Sequence, residues 1–393
     1  MPKKSIKNKT VSGISWSAAD VFLSQGVTFL VGIVLARLLT PAEYGLIGIC
    51  TIFIVIFHGI IDSGFCSALI RKKDATRDDY NTMFIVNMGL SLFLYAVLYL
   101  GAPLIARFFE RPELVNLVRV MGLILILQAV SIVQYTVLSK RLDFKTKAKA
   151  SLIAAASSGA IGIGCALAGM GVWSLVAQQL SRNAIYSICL WVFNKWWPSI
   201  KFSMPSFRYM WGFGWKMMLS GLLDHTWKEL YQVVVGKFYS PATLGQYSKA
   251  KEFGHIFSTN ITAIIQRVSY PALSKLQDDT PRMVAAYRKL IKTTMFITAV
   301  CMLSLGAVAE PLVYCLIGPK WHQAATFLPI ISISLSLYPL HALNLNMLKV
   351  EGRSDIFLIL EIIKKIIAIG PLCLGIFVDI YWMLIGMRTG PRM

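Results

Sequence analysis

Apolar residues in this chain do not alternate with polar ones over short distances. They gather into runs of roughly 20 residues or more, long enough to cross a bilayer at 1.5 Å per residue, with short polar stretches between them. The pattern predicts spans at 11–38, 43–69, 82–108, 114–138, 149–169 and 171–194, and then at 208–237, 244–270, 290–317, 324–348 and 355–377. A last run at 378–387 is too short to cross and reads as a truncated twelfth span. No connection is long enough to fold as a domain of its own. The expected fold class is therefore all-α, a polytopic transmembrane helix bundle of about 11–12 spans.

The pattern repeats. RLLTPAEYG at 37–45 is echoed by KFYSPATLG at 237–245, so that Arg37 and Lys237, Pro41 and Pro241, Ala42 and Ala242, and Gly45 and Gly245 are each 200 residues apart. Gly13 and Trp16 match Gly212 and Trp215 at an offset of 199, and APLI at 102–105 matches EPLV at 310–313 at 208. An even number of spans per copy keeps both copies in the same orientation. That predicts two six-helix lobes in a parallel pseudo-two-fold repeat, at 1–194 and 208–393, joined by the linker 195–207 with Pro198 and Pro205.

Composition changes the picture in one respect. Of 393 residues, 56% are hydrophobic and only 15% charged, well below a soluble domain's share, yet the net charge is +20. A basic chain could bind nucleic acid, but here the cations recur in clusters between apolar runs. Lys3, Lys4, Lys7 and Lys9, then Arg71, Lys72 and Arg77, then Lys140, Arg141, Lys145, Lys147 and Lys149 occupy alternate connections, whereas the intervening ones are sparser. This is how membrane orientation is written, and it predicts a cytoplasmic N-terminus with no nucleic-acid partner. The seven cysteines form no CxxC pair and no zinc spacing, so they read as small apolar packers. No phosphate-binding glycine loop, HExxH or GxSxG occurs, and the glycines at 159–164 and 169–171 fit close helix packing better than a nucleotide.

Charges placed within apolar runs are costly and mark candidate sites. The densest group is in the seventh span, where Asp224 and Lys228, and His225 and Glu229, are each four residues apart and so share a helix face. Cations suit an anionic substrate such as a phosphate or pyrophosphate, which makes Arg182, Lys216, Lys228, Lys249 and Arg267 candidates for substrate binding. Acids suit a coupled proton or sodium ion, which makes Asp20, Asp62, Asp224, His225 and Glu229 candidates for ion coupling. Glu361 with Lys364 and Lys365 reads equally as a self-neutralised trio, and His58 and His341 as satisfied packing residues.

Eight short stretches, in this order, resemble the polysaccharide-exporting (O-antigen/lipopolysaccharide-type) flippases of the multidrug/oligosaccharidyl-lipid/polysaccharide exporter superfamily. They are RLLTPAEYG at 37–45, DSGF at 62–65, APLIARFFERPEL at 102–114, KRLDFKTKA at 140–148, GVWSLVAQQL at 171–180, LGQYSKAKE at 244–252, YPALSKLQDD at 270–279 and EGRSD at 351–355. The resemblance implies two lobes around a cationic cavity that opens to each side in turn. It implies an undecaprenyl-diphosphate-linked oligosaccharide as cargo, and a multi-pass location in the bacterial inner membrane. It further implies polysaccharide assembly proteins as partners and a proton or sodium gradient, with no cofactor, as the drive. Such flippases have more spans than this chain offers, so the ending RTGPRM is expected to cut the reading frame short. A drug/cation antiporter of the same fold would favour a more acidic cavity. A membrane polysaccharide polymerase or acyltransferase would need larger outer loops than these.

Overall fold

The computed structural model describes residues 23–389 except 63, 73, 195, 275–278, 341–342, 345–359, 361–362 and 364. The side chains at 213, 259–274, 280 and 387–389 are also outside the description. The described residues are helical, with no strand among them. The order is α1 (Leu23–Leu38), α2 (Pro41–Asp62), α3 (Phe65–Arg71), α4 (Arg77–Phe108), α5 (Leu114–Met121), α6 (Leu123–Lys140), α7 (Phe144–Leu167) and α8 (Val172–Asn194). After an extended stretch come α9 (Met204–Phe238), α10 (Pro241–Ser274), α11 (Thr280–Ala307) and α12 (Ala309–Ile317). A 3-10 turn (Pro319–Trp321), α13 (His322–Ser336), α14 (Ile369–Phe377) and α15 (Ile380–Thr389) complete the chain.

Six stretches are long and apolar enough to cross a membrane: Pro41–Arg71, Arg77–Phe108, Leu114–Lys140, Phe144–Leu167, Pro281–Ala307 and Pro319–Leu340. Two shorter apolar helices, Leu23–Leu38 and Lys365–Phe377, run up to residues that are not described. Helices α8 and α9 have the length but not the composition, because Gln178, Gln179, Arg182 and Asn183 interrupt one and Lys216, Asp224, Lys228 and Glu229 the other. The expected span 290–317 is divided at Val308, and 114–138 at Gly122, where a local turn separates consecutive helices.

Polarity is distributed as a lipid solvent demands. On α4 the polar residues Asp79, Asn81, Thr82, Asn87 and Ser91 are buried, whereas Leu92, Phe93, Leu100 and Leu104 are exposed. In water that arrangement would be inverted; in a bilayer it leaves polar groups to protein and apolar groups to acyl chains. Small residues let the helices approach: a Cβ on Gly159 of α7 would come within 2.4 Å of Val31 Cγ2 on α1.

The chain divides into two compact units, 1–233 and 234–393, with the boundary near the end of α9. In the first unit α7 packs on α8, α6 on α4 and α8, and α2 on α5, α6 and α8. A core of Phe65, Met83, Val133, Trp196 and Met210 collects where α3, α4, α6 and the start of α9 meet. The stretch expected to serve as a linker is held to this unit. Asn81 Nδ2 donates to Ser199 Oγ (2.7 Å) and Ser199 N donates to Asn81 Oδ1 (3.0 Å). Ser203 N donates to Thr82 Oγ1 (3.0 Å), and Gln134 Nε2 donates to the Trp196 carbonyl (2.7 Å). In the second unit α13 packs on α10, α11, α12 and α15. There Gln246 clamps the chain, its Nε2 donating to Lys320 O (2.8 Å) and its Oε1 accepting from Ala324 N (3.0 Å).

Both halves of the echoed motif fold alike. The helix ends at Leu38 or Phe238, a hydroxyl residue caps the next one, and proline opens it at Pro41 or Pro241. Glu43 N donates to Thr40 Oγ1 (3.4 Å), and Thr40 N returns a bond to Glu43 Oε2 (2.6 Å). At the second site Thr243 N donates to Ser240 Oγ (3.1 Å).

Candidate functional site: the seam between α2 and α9

Helix α9 approaches α2 and α3 within the first unit. Phe65 stacks edge-on against Phe207 and Trp211, with ring centroids 6.3 Å apart in both cases. Gly64 caps α3 at φ 67°, a left-handed conformation, and a Cβ there would lie 2.6 Å from Met217 Cβ. A Cβ on Gly59 would lie 2.7 Å from His225 Cδ2, so the glycine is what admits the imidazole. At 100° per residue, Met210, Gly214, Met217, Gly221 and His225 share one face of α9, whereas Trp211, Trp215, Leu219 and Leu223 form an exposed apolar stripe beside it.

This seam gathers ionisable groups. His58 stands one turn before Asp62 on α2, and Gly59 beside it meets the His225 ring of α9. His58 Nδ1 is buried without a hydrogen-bond partner among the described residues. The sequence reading of His58 as a satisfied packing residue is therefore corrected: one ring nitrogen is left open, beside an acid and a second imidazole. Of the residues expected to couple an ion, the structure places His225 against Gly59, next to His58, and leaves Asp62 exposed one turn further along α2. An unpaired buried ring nitrogen can take or hold a proton, and a neighbouring carboxylate stabilises the charged ring.

The other candidates are placed separately. Asp224 and Lys228 form the expected pair, Nζ to Oδ2 2.6 Å, but both side chains are more than half exposed. The second expected pair does not form. Glu229 accepts from Gln232 Nε2, three residues on, and His225 turns instead toward Gly59. Lys216 is exposed, with its Nζ 6.0 Å from the Trp215 ring. Arg182 is half-buried in α8 beside Asn183. Lys249 lies within α10 and not in a connection, buried and paired with Glu252 at 2.7 Å. Arg267 is on α10 with its side chain outside the description, and Asp20, Glu361, Lys364 and His341 lie outside the described residues.

Neutral amides were missed by a search for charge. Among the described residues, Asn87 is fully buried in α4 with neither amide atom partnered, and Gln128 of α6 donates to Asn183 of α8 (3.4 Å) while its own oxygen has no partner. An Asn or Gln inside an apolar run is the signal that would have found them, since such groups bond across helices or line wet cavities. Asp79 was also overlooked. It accepts both from Lys72 Nζ, at 2.8 Å, and from Thr76 N, at 2.8 Å, closing a capping box at the start of α4.

Residues 34–326 match the family described as Polysaccharide biosynthesis protein. The chain belongs to that family. Among its relatives is the succinoglycan biosynthesis transport protein ExoT of Rhizobium meliloti (strain 1021), 25% identical over 371 residues that cover 94% of this chain and 75% of ExoT. Solved structures share the fold at lower identity. The lipid II flippase MurJ in an inward closed conformation matches with TM-score 0.73 and 14% identity, over 95% of this chain and 84% of MurJ. An inward-facing MATE family transporter of the MOP superfamily matches with TM-score 0.70 and 18% identity, over 96% and 94% of the two chains. This family member is therefore a multi-pass, all-α membrane protein, as its hydrophobic pattern predicted.

Proposed function

We propose that this protein moves an undecaprenyl-diphosphate-linked oligosaccharide across the bacterial inner membrane by alternating access, for export of a surface polysaccharide. The observation that carries the reading is the placing of His225 against Gly59, next to His58 with its buried Nδ1 and one turn before the exposed Asp62, in an apolar helix bundle of the polysaccharide biosynthesis family. A bundle that packs an imidazole against a glycine, beside a second imidazole and one turn from a carboxylate, has a place to exchange a proton while a charged headgroup passes. The names of ExoT, a transport protein, and MurJ, a flippase, point the same way.

In this reading Arg182, Lys216, Lys228, Lys249 and Arg267 engage the diphosphate or the sugar. Asp20, Asp62, Asp224, His225 and Glu229, with His58, couple passage to a proton or sodium gradient. No bond of the cargo is made or broken, and no cofactor is needed. The lobes expected at 1–194 and 208–393 are two copies of one parallel repeat, which the like-folded turns at Thr40-Pro41 and Ser240-Pro241 support. The N-terminus faces the cytoplasm, as the distribution of cations implies, and polysaccharide assembly proteins receive the cargo outside.

The test is restoration of surface polysaccharide in a strain lacking its own flippase. Lys228→Ala and Asp224→Asn are expected to abolish restoration while changing stability by less than about 1 kcal/mol, because their pair is exposed. Full restoration by both variants would refute the assignment of that pair.

A further inference from the structure

A second feature lies away from the seam, at the basic end of the first unit. A cavity of about 520 Å³ opens where the start of α4, the ends of α6 and α8, and the extended stretch after α8 converge. Its walls include Arg77, Tyr80, Lys140, Arg141, Asn194 and Trp196. Every side chain in its lining that carries charge at neutral pH is a cation. The nearest buried acid, Asp79, is already held by Lys72 and Thr76.

The three cations are not equally engaged. Lys140 Nζ donates to the Leu69 carbonyl (3.4 Å) and to that of Lys72, so it has a structural task in closing the end of α3. Arg141 gives one guanidinium N–H to Asn194 Oδ1 (3.3 Å) and remains exposed. The Arg77 side chain makes no hydrogen bond or ion pair among the described residues. It also stands at the first position of a 32-residue helix, where the macrodipole opposes a positive charge. A guanidinium kept there against the dipole, facing a cavity with a second guanidinium and an ammonium, is placed for an anion with several oxygens.

The surroundings say what carries that anion. Trp196 packs edge-on against Tyr80 and Phe84 (6.3 and 6.4 Å), and Trp191 against Trp197 (5.1 Å). Trp196 is nine-tenths buried, and its indole nitrogen has no partner among the described residues. Trp197 and Ile200 are exposed beside it. Tryptophan and tyrosine gather at the depth where acyl chains give way to headgroups, and here the cations border that belt. We propose that this cavity is a binding site for the phosphate of an anionic phospholipid headgroup, with the acyl chains lying along the exposed apolar residues of the first unit. The site is separate from the α2–α9 seam and does not depend on the transport reading.

The test uses the purified full-length chain in a neutral detergent, with dioleoyl phosphatidylglycerol as the probe. Monoglucosyl diacylglycerol serves as the uncharged lipid and sn-glycerol 3-phosphate as the headgroup without chains. Phosphatidylglycerol is expected to raise the melting temperature and to persist as an adduct in native mass spectra. The Arg77→Gln/Arg141→Gln double variant is expected to lose at least nine-tenths of that adduct. Lys145→Gln/Lys149→Gln, which removes two exposed cations from the same end outside the cavity, is expected to keep it. The adduct is read independently of melting, so a variant that is merely less stable still reports. Equal retention by both double variants, equal binding of the glucolipid, or saturation by glycerol phosphate at the same concentration would each overturn the proposal.

Discussion

Replacing Gly59 with alanine tests the α2–α9 seam directly. The added methyl would sit 2.7 Å from His225 Cδ2, 3.5 Å from Nε2 and 3.6 Å from Cγ. Carbon atoms pack at about 3.5–4.0 Å, so one edge of the ring is overlapped by roughly 1 Å. Relief requires either that α9 shift off α2 or that the imidazole swing away from His58. Overpacking of this kind costs about 1–3 kcal/mol. His225→Ala removes the obstructing ring, so Gly59→Ala should cost less than about 0.5 kcal/mol in that background, leaving a coupling energy of at least about 0.5 kcal/mol. Thermal melting of the four proteins in one detergent gives the cycle. Should Gly59→Ala destabilise equally with and without the His225 ring, the two helices do not meet through this contact and the seam described above is wrong.

Further outcomes follow from the polar clamps. Asp79→Ala removes the partner of Lys72 and half of the capping box; because Lys72 keeps 27% exposure, the loss should fall near the low end of the buried-pair range, about 3 kcal/mol, read as a lowered melting temperature. Asn81→Ala frees Ser199 from two bonds and should cost about 1–3 kcal/mol, with faster amide exchange and protease cleavage confined to the stretch 196–203. Gln246→Ala takes one donor from Lys320 O and leaves Ala324 N without its side-chain acceptor in a buried site, and about 2 kcal/mol should be lost. If amide exchange at Ala324 were unchanged in that variant, Gln246 would not be the clamp.

The fold class was legible because its cause is local. Lipid as solvent imposes long apolar runs on any sequence that spans it, and α2, α4, α6 and α7 fall within the expected runs or extend them by a turn or two, whereas α11 starts nearly three turns early. The echoed turn was legible for a similar reason, since hydroxyl cap and proline act over four residues. The site was only half legible. The i,i+4 rule found Asp224 with Lys228 but could not say whether His225 would turn along its own helix to Glu229 or across to Gly59, because the space left by a glycine on another helix decides it. The same limit hid Asp79. Its sequence position looks like an exposed helix start, and only the fold of α3 against α4 delivers Lys72 to it. Asn87 and Gln128 escaped because a search keyed to charge passes over amides, although burial makes an unpartnered amide costly too.

The turns at Thr40-Pro41 and Ser240-Pro241 bear on biogenesis. Two residues separate the helices at each turn, so the ribosome delivers the second helix of each pair before the first has any free chain with which to settle alone. With the cytoplasmic N-terminus proposed above, a pair that enters the bilayer as a hairpin, apex first, draws Arg37 or Lys237 across with it. The insertion machinery thus meets a cation near the apex of both hairpins. Lengthening either turn with a flexible insert would let the leading helix stall halfway, a defect of topology rather than of stability.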